Sequence, residues 1–414
     1  MRLPAVLRDE PQYRLLFGSQ VLSILGDRVT SVVLPFAVLS VGGGVGEVAL
    51  VSAAQFLPFA VLALPAGVWA DRWDRRRILI SSDLVRLVTQ LTAGVLLVSG
   101  AAGVPALVVL AGVYGAADAF FAPAFTGLLP MTVSPLNLQP ANALRGLTFS
   151  VGAIAGPVLA GLLIGFGGGP GVALLFDAAT FVVSVVLLLP LRPRLVSDVS
   201  AREDPTATTD RFGSSLRRGW SEVRSRRWVL AFLAGMAVYH AVVLPSVFVV
   251  GPVIAEQELD GARSWAVVSA GFGIGCMLGD LVFLRWRPRF ALRVAGLMLV
   301  GASCQAAFIG SGLGAWGIAG LEVFAGVCVT GTFTLWETTL QEHIPAATLS
   351  RVSSYDYLTS AGMIPLGNLL VGLAGATFGL HPSLVGMSVV GLLVAAGVAA
   401  QPSVRLLPRG ATAS

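Results

Sequence analysis

The decisive stretch of this sequence is residues 67–77, which read Gly-Val-Trp-Ala-Asp-Arg-Trp-Asp-Arg-Arg-Arg. Apolar runs at 46–70 and 78–99 flank it, and each is long enough for a helix that crosses a bilayer, which needs about 20 residues. A short basic loop between two such runs is typical of a membrane hairpin whose loop faces the cytoplasm. We therefore expect an integral membrane protein.

The composition agrees with this expectation. Of the 414 residues, 55% are hydrophobic and only 12% are charged, and the mean hydropathy is +0.83. A soluble domain has about 25% charged residues, so water is not the solvent for most of this surface. The 49 glycines are typical of helices that approach one another closely in lipid. These observations exclude a soluble enzyme.

The hydrophobic runs predict an all-α protein with twelve spanning helices. An even number of spans places both termini on the same side of the membrane. The predicted spans are 14–40, 46–70, 78–99, 104–129, 140–165, 172–191, 229–255, 263–284, 290–311, 315–338, 353–378 and 382–402.

The arginines set the orientation. All 27 basic residues are arginine, which is typical of a GC-rich bacterial genome. With cytoplasmic termini, 24 of the 27 lie in cytoplasmic segments, Arg263 lies in an outer loop, and Arg28 and Arg86 lie inside spans. This asymmetry follows the positive-inside rule and predicts a multi-pass protein of the bacterial inner membrane. The basic charge then faces membrane lipids, and nucleic acid is excluded as a partner.

The polar segment 197–213 predicts a disordered linker between two halves of six spans. The predicted domains are 1–196, the linker region 197–228, and 229–414. Apolar residues recur at helical spacing among arginines at the end of the linker region, which predicts an amphipathic helix on the inner leaflet. A solvated charged segment is the alternative. The apolar positions are Phe212, Leu216, Trp220 and Val223.

Residues 67–77 resemble the signature loop of the major facilitator superfamily. The resemblance implies a major facilitator fold, in which two pseudo-symmetric halves of six helices move by alternating access. It also implies a latch on the cytoplasmic side, where Asp71 would meet the partial positive charge of a neighbouring helix N-terminus. A simple basic loop that fixes topology is the alternative. The predicted latch residues are Gly67, Asp71, Arg72, Arg75 and Arg76, with Asp83 and Arg86 as support.

Small residues four apart mark the fifth and eighth spans. In the fifth span they surround Pro157, which removes one helical hydrogen bond, and this pattern resembles the antiporter motif of facilitator exporters. Such ladders let helix backbones approach closely, so we expect contact between helices 5 and 8 across the two halves. General helix packing is the alternative. The predicted packing motif is Gly152, Gly156, Pro157, Gly161, Gly271, Gly275 and Gly279.

Several further stretches resemble the drug-exporter branch that includes macrolide-efflux and enterobactin-exporter-like proteins. The resemblance implies export of an amphiphilic drug or a secreted natural product. The stretches are Leu25–Arg28, Ala117–Pro123, Phe176–Phe181, Leu340–Pro345 and Ser350–Tyr355.

An ionisable group inside a span costs about 2.5–3.5 kcal/mol, so each one needs a reason. Asp27 is a candidate for proton coupling or for binding a cationic substrate, and a structural partner across the half is the alternative. Asp118 is the second proton candidate, or a structural hydrogen-bond partner of helix 1. Arg28 is expected to pair with Asp118 or to contact substrate. Glu322 is a substrate-binding candidate, unless it faces water near the mouth.

The remaining polar residues in or near spans have simpler interpretations. Asp177 and His240 are expected to be structural, and the three cysteines to be small buried hydrophobes without a metal or disulfide role. A second, degenerate latch is expected at Asp280, Glu337, Glu342 and His343.

Several motifs that other classes of protein require are absent from the sequence, and their absence excludes those classes. Lysine is absent, and so is any phosphate-binding loop, which excludes an ATP-driven pump on this chain alone. No set of catalytic residues, cofactor motif or metal-ligand spacing is present. We predict a monomeric secondary transporter that exchanges protons for a small amphiphilic substrate. A proton- or ion-coupled uptake symporter, a lipid flippase and a non-transporting scaffold are the alternatives.

Overall fold

The computed structural model describes residues 5–194, 220–344, 352, 355–357, 359–360 and 362–408. For 5, 63–65, 67–72, 135, 139 and 166–167 the description covers the backbone alone. The described residues form helices and short connections, without strands, which confirms the predicted all-α class. They divide into two compact units. Unit 1 comprises the described residues up to 194 together with Ala255–Ala266, and unit 2 comprises the rest.

Unit 1 contains six long helices at the places where the sequence predicts the first six spans. Their spatial order is α2, α4, α3, α6, α1, α5, each packing against the next. They are α1 (Pro11–Ser40), α2 (Val45–Arg72), α3 (Arg75–Val98), α4 (Val104–Leu128), α5 (Leu138–Gly167) and α6 (Pro170–Leu188).

The other six helices follow residue 220. The end of α7 and the start of α8 belong to unit 1, and the remainder forms unit 2. Two π-helical turns, Tyr239–Val243 and Ser246–Val250, interrupt α7. The helices are α7 (Arg227–Glu258), α8 (Gly261–Arg285), α9 (Ala291–Ile309), α10 (Ala315–His343), α11 (Met363–Phe378) and α12 (Leu380–Ala400).

Among the described residues, 11 helices are long and apolar enough to cross a membrane. The twelfth, α11, is apolar but has 16 residues, and several residues of the predicted span 353–378 lie outside the description. Large apolar side chains such as Val88, Val109 and Leu393 are exposed on the helix surfaces. Lipid is the solvent that suits such surfaces.

The predicted linker at 197–213 lies outside the described residues, and so does most of the predicted amphipathic helix. From residue 220 onward, the described end of that segment is helical. Val223 is buried there in the core of unit 2, whereas Trp220 is partly exposed and lies 5.7 Å, between ring centroids, from Tyr355.

Glycines allow the closest helix approaches in unit 1. At Gly115 of α4, an added Cβ would lie 2.8 Å from the carbonyl carbon of Gln55 on α2, closer than side chains tolerate. Gly94 of α3 and Gly171 of α6 face each other in the same way, since a Cβ on either would lie 3.0 Å from the carbonyl oxygen of the other. These contacts bring the backbones of α2, α3, α4 and α6 together and fix where their polar side chains meet.

Candidate functional site

Four charged side chains from three helices of unit 1 meet in what we call the Arg86 cluster: Asp27, Asp83, Arg86 and Asp118. Arg86 of α3 forms an ion pair with Asp83, one turn earlier on the same helix. Its Nη1 also lies 3.5 Å from Asp27 Oδ2 on α1 and 3.3 Å from Asp118 Oδ1 on α4. One guanidinium therefore holds three carboxylates, and full ionisation would leave two negative charges without a cation.

The cluster lies deep in the helix bundle. Arg86 is near the middle of α3, about 16 Å from its start at about 1.5 Å per residue. Phe121 and Phe181 place their rings 4.3 Å and 4.6 Å from the guanidinium carbon, so aromatic faces supply part of its solvation. The Nε of Arg86 is buried and finds no hydrogen-bond partner among the described residues. The site is consequently a low-dielectric one, in which charge balance matters strongly.

The cluster has a buried side and an accessible side. The side chains of Asp83 and Arg86 are 0% exposed. Those of Asp27 and Asp118 are 35% and 39% exposed. The hydroxyl of Ser184 donates to Asp83 Oδ2 (2.6 Å), and the buried hydroxyl of Tyr114 donates to Asp27 Oδ1. Asp27 and Asp118 thus carry the exposed surface of the cluster, while Asp83 is enclosed with Arg86.

A second buried acid, Asp177 of α6, lies in the same unit. Its Oδ2 accepts hydrogen bonds from the hydroxyl of Thr30 (2.6 Å) and the side-chain amide of Gln90 (2.6 Å). Gly26 of α1 packs directly over this carboxylate, where no side chain would fit. Neutral donors from α1 and α3 thus hold Asp177, which fits the structural role expected for it.

Two arginines of residues 67–77, Arg75 and Arg76, bind helix ends within unit 1. Arg75 Nη1 donates to the carbonyl oxygen of Gly127 (3.0 Å) near the end of α4. Arg76 Nε donates to the carbonyl oxygen of Leu188 (2.9 Å) at the end of α6. The last carbonyls of a helix lack intrahelical partners and carry partial negative charge. Asp74 in turn caps the start of α3 by accepting from the backbone N–H of Arg76 (2.9 Å).

In unit 2, Glu322 of α10 is 1% exposed. Its Oε2 accepts a hydrogen bond from the side-chain amide of Gln305 on α9 (2.9 Å), and Gln305 Oε1 accepts one from the hydroxyl of Tyr239 on α7 (2.7 Å). We call these three residues the Glu322 network. The other carboxyl oxygen, Oε1, is buried and has no hydrogen-bond partner in the part of the chain that the structure describes. The alternative that Glu322 faces water is therefore wrong in this conformation.

The residues that the structure describes contain no group of three His, Cys, Asp or Glu side chains placed to hold a metal ion.

The family model for the Major Facilitator Superfamily matches residues 16–367. The chain belongs to the major facilitator superfamily. Its members are membrane transporters rather than enzymes, in agreement with the predicted class.

Three relatives of this superfamily member are named as exporters. The multidrug efflux pump Tap of Mycolicibacterium fortuitum is 26% identical over 92% of this chain and 93% of its own length. The enterobactin exporter EntS of Escherichia coli is 26% identical over 94% and 92%. The macrolide efflux protein A of Streptococcus pyogenes is 21% identical over 70% and 71%. These relatives confirm the resemblance to the drug-exporter branch.

A solved structure supports the same fold. The nucleoside transporter NupG superimposes with a TM-score of 0.71 over 93% of this chain and 98% of its own, at 13% identity. At that identity the likeness concerns the fold alone.

Within this transporter, the predicted latch residues separate into two groups. Asp83 and Arg86, which were predicted to support the latch, lie in the buried Arg86 cluster, and their part in a latch stays a prediction. The two residues are three apart on one helix, so the sequence indicated that they pair with each other. It did not indicate their further partners on α1 and α4. For Gly67, Asp71 and Arg72 the backbone is helical, and the latch remains a prediction.

Arg28 was expected to pair with Asp118 or to contact substrate, and this stays a prediction. Its backbone packs against α5, where a Cβ on Gly156 would lie 3.0 Å from its carbonyl carbon. The arginine that pairs with Asp118 in the structure is Arg86. Counting charges within spans could have found this arrangement, since a deep arginine requires acids on neighbouring helices.

The small-residue motifs have two different neighbours. A Cβ on Gly161 of α5 would lie 2.6 Å from the Cβ of Ala266, and Arg263 Nη2 donates to the carbonyl oxygen of Gly165 (2.9 Å), so α5 meets the start of α8 within unit 1. The three glycines further along α8 lie against α10. A Cβ at Gly271 or Gly275 would press on the α10 backbone, and one at Gly279 on Thr330. Contact of these three glycines with helix 5 across the two halves stays a prediction.

The second latch is only partly visible. Glu337 is exposed on α10. His343, at the end of the same helix, is half-buried, and its ring nitrogens hydrogen-bond to the carbonyl oxygens of Thr339 (3.0 Å) and Pro408 (3.1 Å). His343 thus joins the end of α10 to the C-terminal segment of its own unit.

Proposed function

We propose that this chain is a proton-coupled exporter of a small amphiphilic drug or secreted natural product, working by alternating access as a monomer. Its halves would be 1–196 and 229–414, joined by the linker region 197–228. Relatives named as a multidrug efflux pump, a macrolide efflux protein and an enterobactin exporter support export. The absence of a phosphate-binding loop from the sequence favours an ion gradient as the energy source.

The observation that carries proton coupling is the charge imbalance of the Arg86 cluster. Because three carboxylates share one guanidinium at low dielectric, protonation of Asp27 or Asp118 lowers the electrostatic energy of the cluster. Both acids are accessible, and a cationic or hydrogen-bonding substrate would compete with the proton for them. Binding of one would weaken binding of the other, and this reciprocal coupling is what antiport requires.

Protonation would also loosen the contacts between helices. An ionised Asp27 joins α1 to α3 through Arg86 and to α4 through Tyr114. A neutral Asp27 retains hydrogen bonds but loses most of its attraction to Arg86. The helices that the carboxylate joins would then shift more easily, which links proton occupancy to conformation.

Asp27→Asn tests this role. In proteoliposomes with a transmembrane pH gradient, we expect the variant to retain exchange of a macrolide or enterobactin but to lose accumulation driven by the gradient. Asp118→Asn should have the same effect if the two acids share the proton. Glu47→Gln, at an exposed acid near the start of α2, is the matched control and should behave like wild type.

Full gradient-driven accumulation by both Asn variants would remove the Arg86 cluster from proton coupling. Uptake that occurs in right-side-out but not in everted vesicles would instead identify an uptake symporter. Loss of substrate exchange in Asp27→Asn would mark Asp27 as a substrate-binding residue.

We further propose that both termini are cytoplasmic in the bacterial inner membrane and that basic loops contact anionic lipids there. The distribution of the arginines supports this orientation, since 24 of 27 then lie on the cytoplasmic side. Arg75 and Arg76 fit this side as well, because they bind helix ends close to the basic loop.

The latch prediction concerns Asp71. Asp71→Asn removes a helix-terminus attraction of about 0.3–2 kcal/mol, so we expect transport to fall strongly while insertion stays near normal. Transport rate normalised to purified protein is the measurement. Undiminished transport would leave residues 67–77 as a basic loop that fixes topology.

A further inference from the structure

The Glu322 network differs from the Arg86 cluster in having no cation. Among the described residues no ion pair to Glu322 exists, and its one hydrogen bond comes from the neutral amide of Gln305. Oε1 has no donor at all. An ionised carboxylate in such a place would lack both solvent and a counter-charge, at a cost of several kcal/mol.

The described residues of the surrounding helices place no cation in an ion pair with Glu322. The titratable side chains around the network are Tyr239 and His240 on α7, Cys276 on α8, Cys304 on α9 and Cys328 on α10. His240 donates from Nδ1 to the carbonyl oxygen of Met236 (2.7 Å), which leaves a neutral ring satisfied within its own helix. A neutral carboxylic acid is the form of Glu322 that suits these neighbours.

We propose that Glu322 is a second proton-binding site, located in unit 2, which is occupied in this conformation and exchanges its proton when the helices around it rearrange. This inference rests on the proposed proton coupling and adds to it: the transporter would carry one proton site in each unit. The Arg86 cluster would bind a proton because three carboxylates surround one guanidinium. Glu322 binds its proton through burial alone.

The π-helical turn of α7 provides the means of exchange. Tyr239 is the first residue of the turn Tyr239–Val243, and a second π turn, Ser246–Val250, follows after Pro245. Such turns contain one extra residue per turn and are frequent at functional sites. If α7 passed from π to α geometry, the Tyr239 side chain would rotate by about 100° and leave Gln305. Gln305 would then be free to turn, and water could reach Glu322.

Glu322→Gln keeps the size of the side chain and mimics the protonated acid, so it should fold and bind substrate. Glu256→Gln makes the same change at an exposed position near the end of α7, outside every predicted site, and is the matched control. Each coupled proton contributes about a factor of ten to the accumulation ratio per unit of pH gradient, since 1.36 kcal/mol is tenfold. We therefore expect Glu322→Gln to lower accumulation about tenfold at a gradient of one unit, with exchange unchanged.

Infrared spectroscopy of the purified, reconstituted protein gives a readout that does not depend on transport. Wild type at neutral pH should show the carbonyl band of a protonated carboxyl group that disappears in Glu322→Gln and persists in Glu256→Gln. In wild type this band should decrease as the pH is raised. Tyr239→Phe, which removes the donor to Gln305 but leaves the acid, should keep the band and change the pH at which it decreases.

The inference is overturned if Glu322→Gln accumulates substrate like wild type, or if its infrared band equals that of wild type. A band that is lost in Glu322→Gln but does not titrate in wild type would also overturn it, because the acid would then be a fixed structural group. These failures differ from failure of the proposed function, which would show in Asp27→Asn and Asp118→Asn instead.

Discussion

Arg86→Leu is expected to prevent the protein from accumulating in the membrane in folded form. The substitution removes the only described cation that pairs with Asp83, whose side chain is 0% exposed, and it leaves Asp27 and Asp118 without their shared partner. Removing one member of a buried ion pair typically costs about 3–5 kcal/mol. Total stabilities are about 5–15 kcal/mol, so most of the folded population would be lost. Membrane-inserted protein and its thermal denaturation in detergent are the measurements.

Paired variants separate charge imbalance from loss of packing. Arg86→Leu combined with Asp83→Asn removes the cation and the buried anion together, and it should recover much of the stability. The amide oxygen that Asp83→Asn introduces could still accept the hydrogen bond that Ser184 now donates to Asp83. Arg77→Leu, at an arginine of the same helix that is 85% exposed, is the matched control. If the single Arg86 variant is as stable as this control, the cluster does not stabilise unit 1.

A lysine at position 86 should allow the protein to fold but should not allow normal gradient-driven transport. Arg86→Lys keeps the charge, but a compact ammonium cannot reach three carboxylates with the fixed fork of a guanidinium. We expect folded protein with impaired gradient-driven transport from this variant. Arg86 thus links stability to coupling, because the same group that neutralises Asp83 also positions Asp27 and Asp118.

The sequence predicts the helices well because a helix that crosses a bilayer must have a nearly fixed length. Runs of about 20 apolar residues place α1 to α6 within a few residues of the observed ends, even where proline interrupts the run, as at Pro35 and Pro157. The run 353–378 is the exception, since residues 353, 354, 358 and 361 lie outside the description and α11 begins only at Met363. Residues 67–77 predict the superfamily because the signature pattern is contiguous in the sequence and needs no knowledge of which helices touch.

The partners of buried charges are not local, and here prediction from the sequence fails. Asp27, Arg86 and Asp118 lie on three helices, and nothing in their spacing along the chain shows which of them touch. Asp83 lies three residues from Arg86 on the same helix, a spacing at which two side chains pair even in an isolated helix. That spacing predicts only one of the three carboxylates that Arg86 contacts. For Glu322, depth in the span is visible in the sequence, but the missing counter-charge becomes visible only once α7, α8 and α9 surround it.

Gly115→Ala is expected to destabilise unit 1 and to disrupt proton coupling together. The added methyl group would overlap the carbonyl group of Gln55, with the Cβ 2.8 Å from its carbon, and backbone atoms cannot turn aside as a side chain can. Forcing α2 and α4 apart should cost about 1–3 kcal/mol or more. Tyr114 and Asp118 flank Gly115 on α4, so the displacement would also move both away from Asp27 and Arg86.

One turn earlier, Gly112 provides a matched control at the same helix crossing. A Cβ there would lie 3.6 Å from the carbonyl oxygen of Ala54, which is ordinary van der Waals contact. Gly112→Ala should therefore keep wild-type stability or gain slightly, because alanine favours the helix by about 1 kcal/mol over glycine. Thermal denaturation and gradient-driven accumulation should both fall in Gly115→Ala and neither in Gly112→Ala. Equal behaviour of the two variants would show that α2 and α4 do not cross as closely as described, and that the geometry of Asp118 does not depend on this crossing.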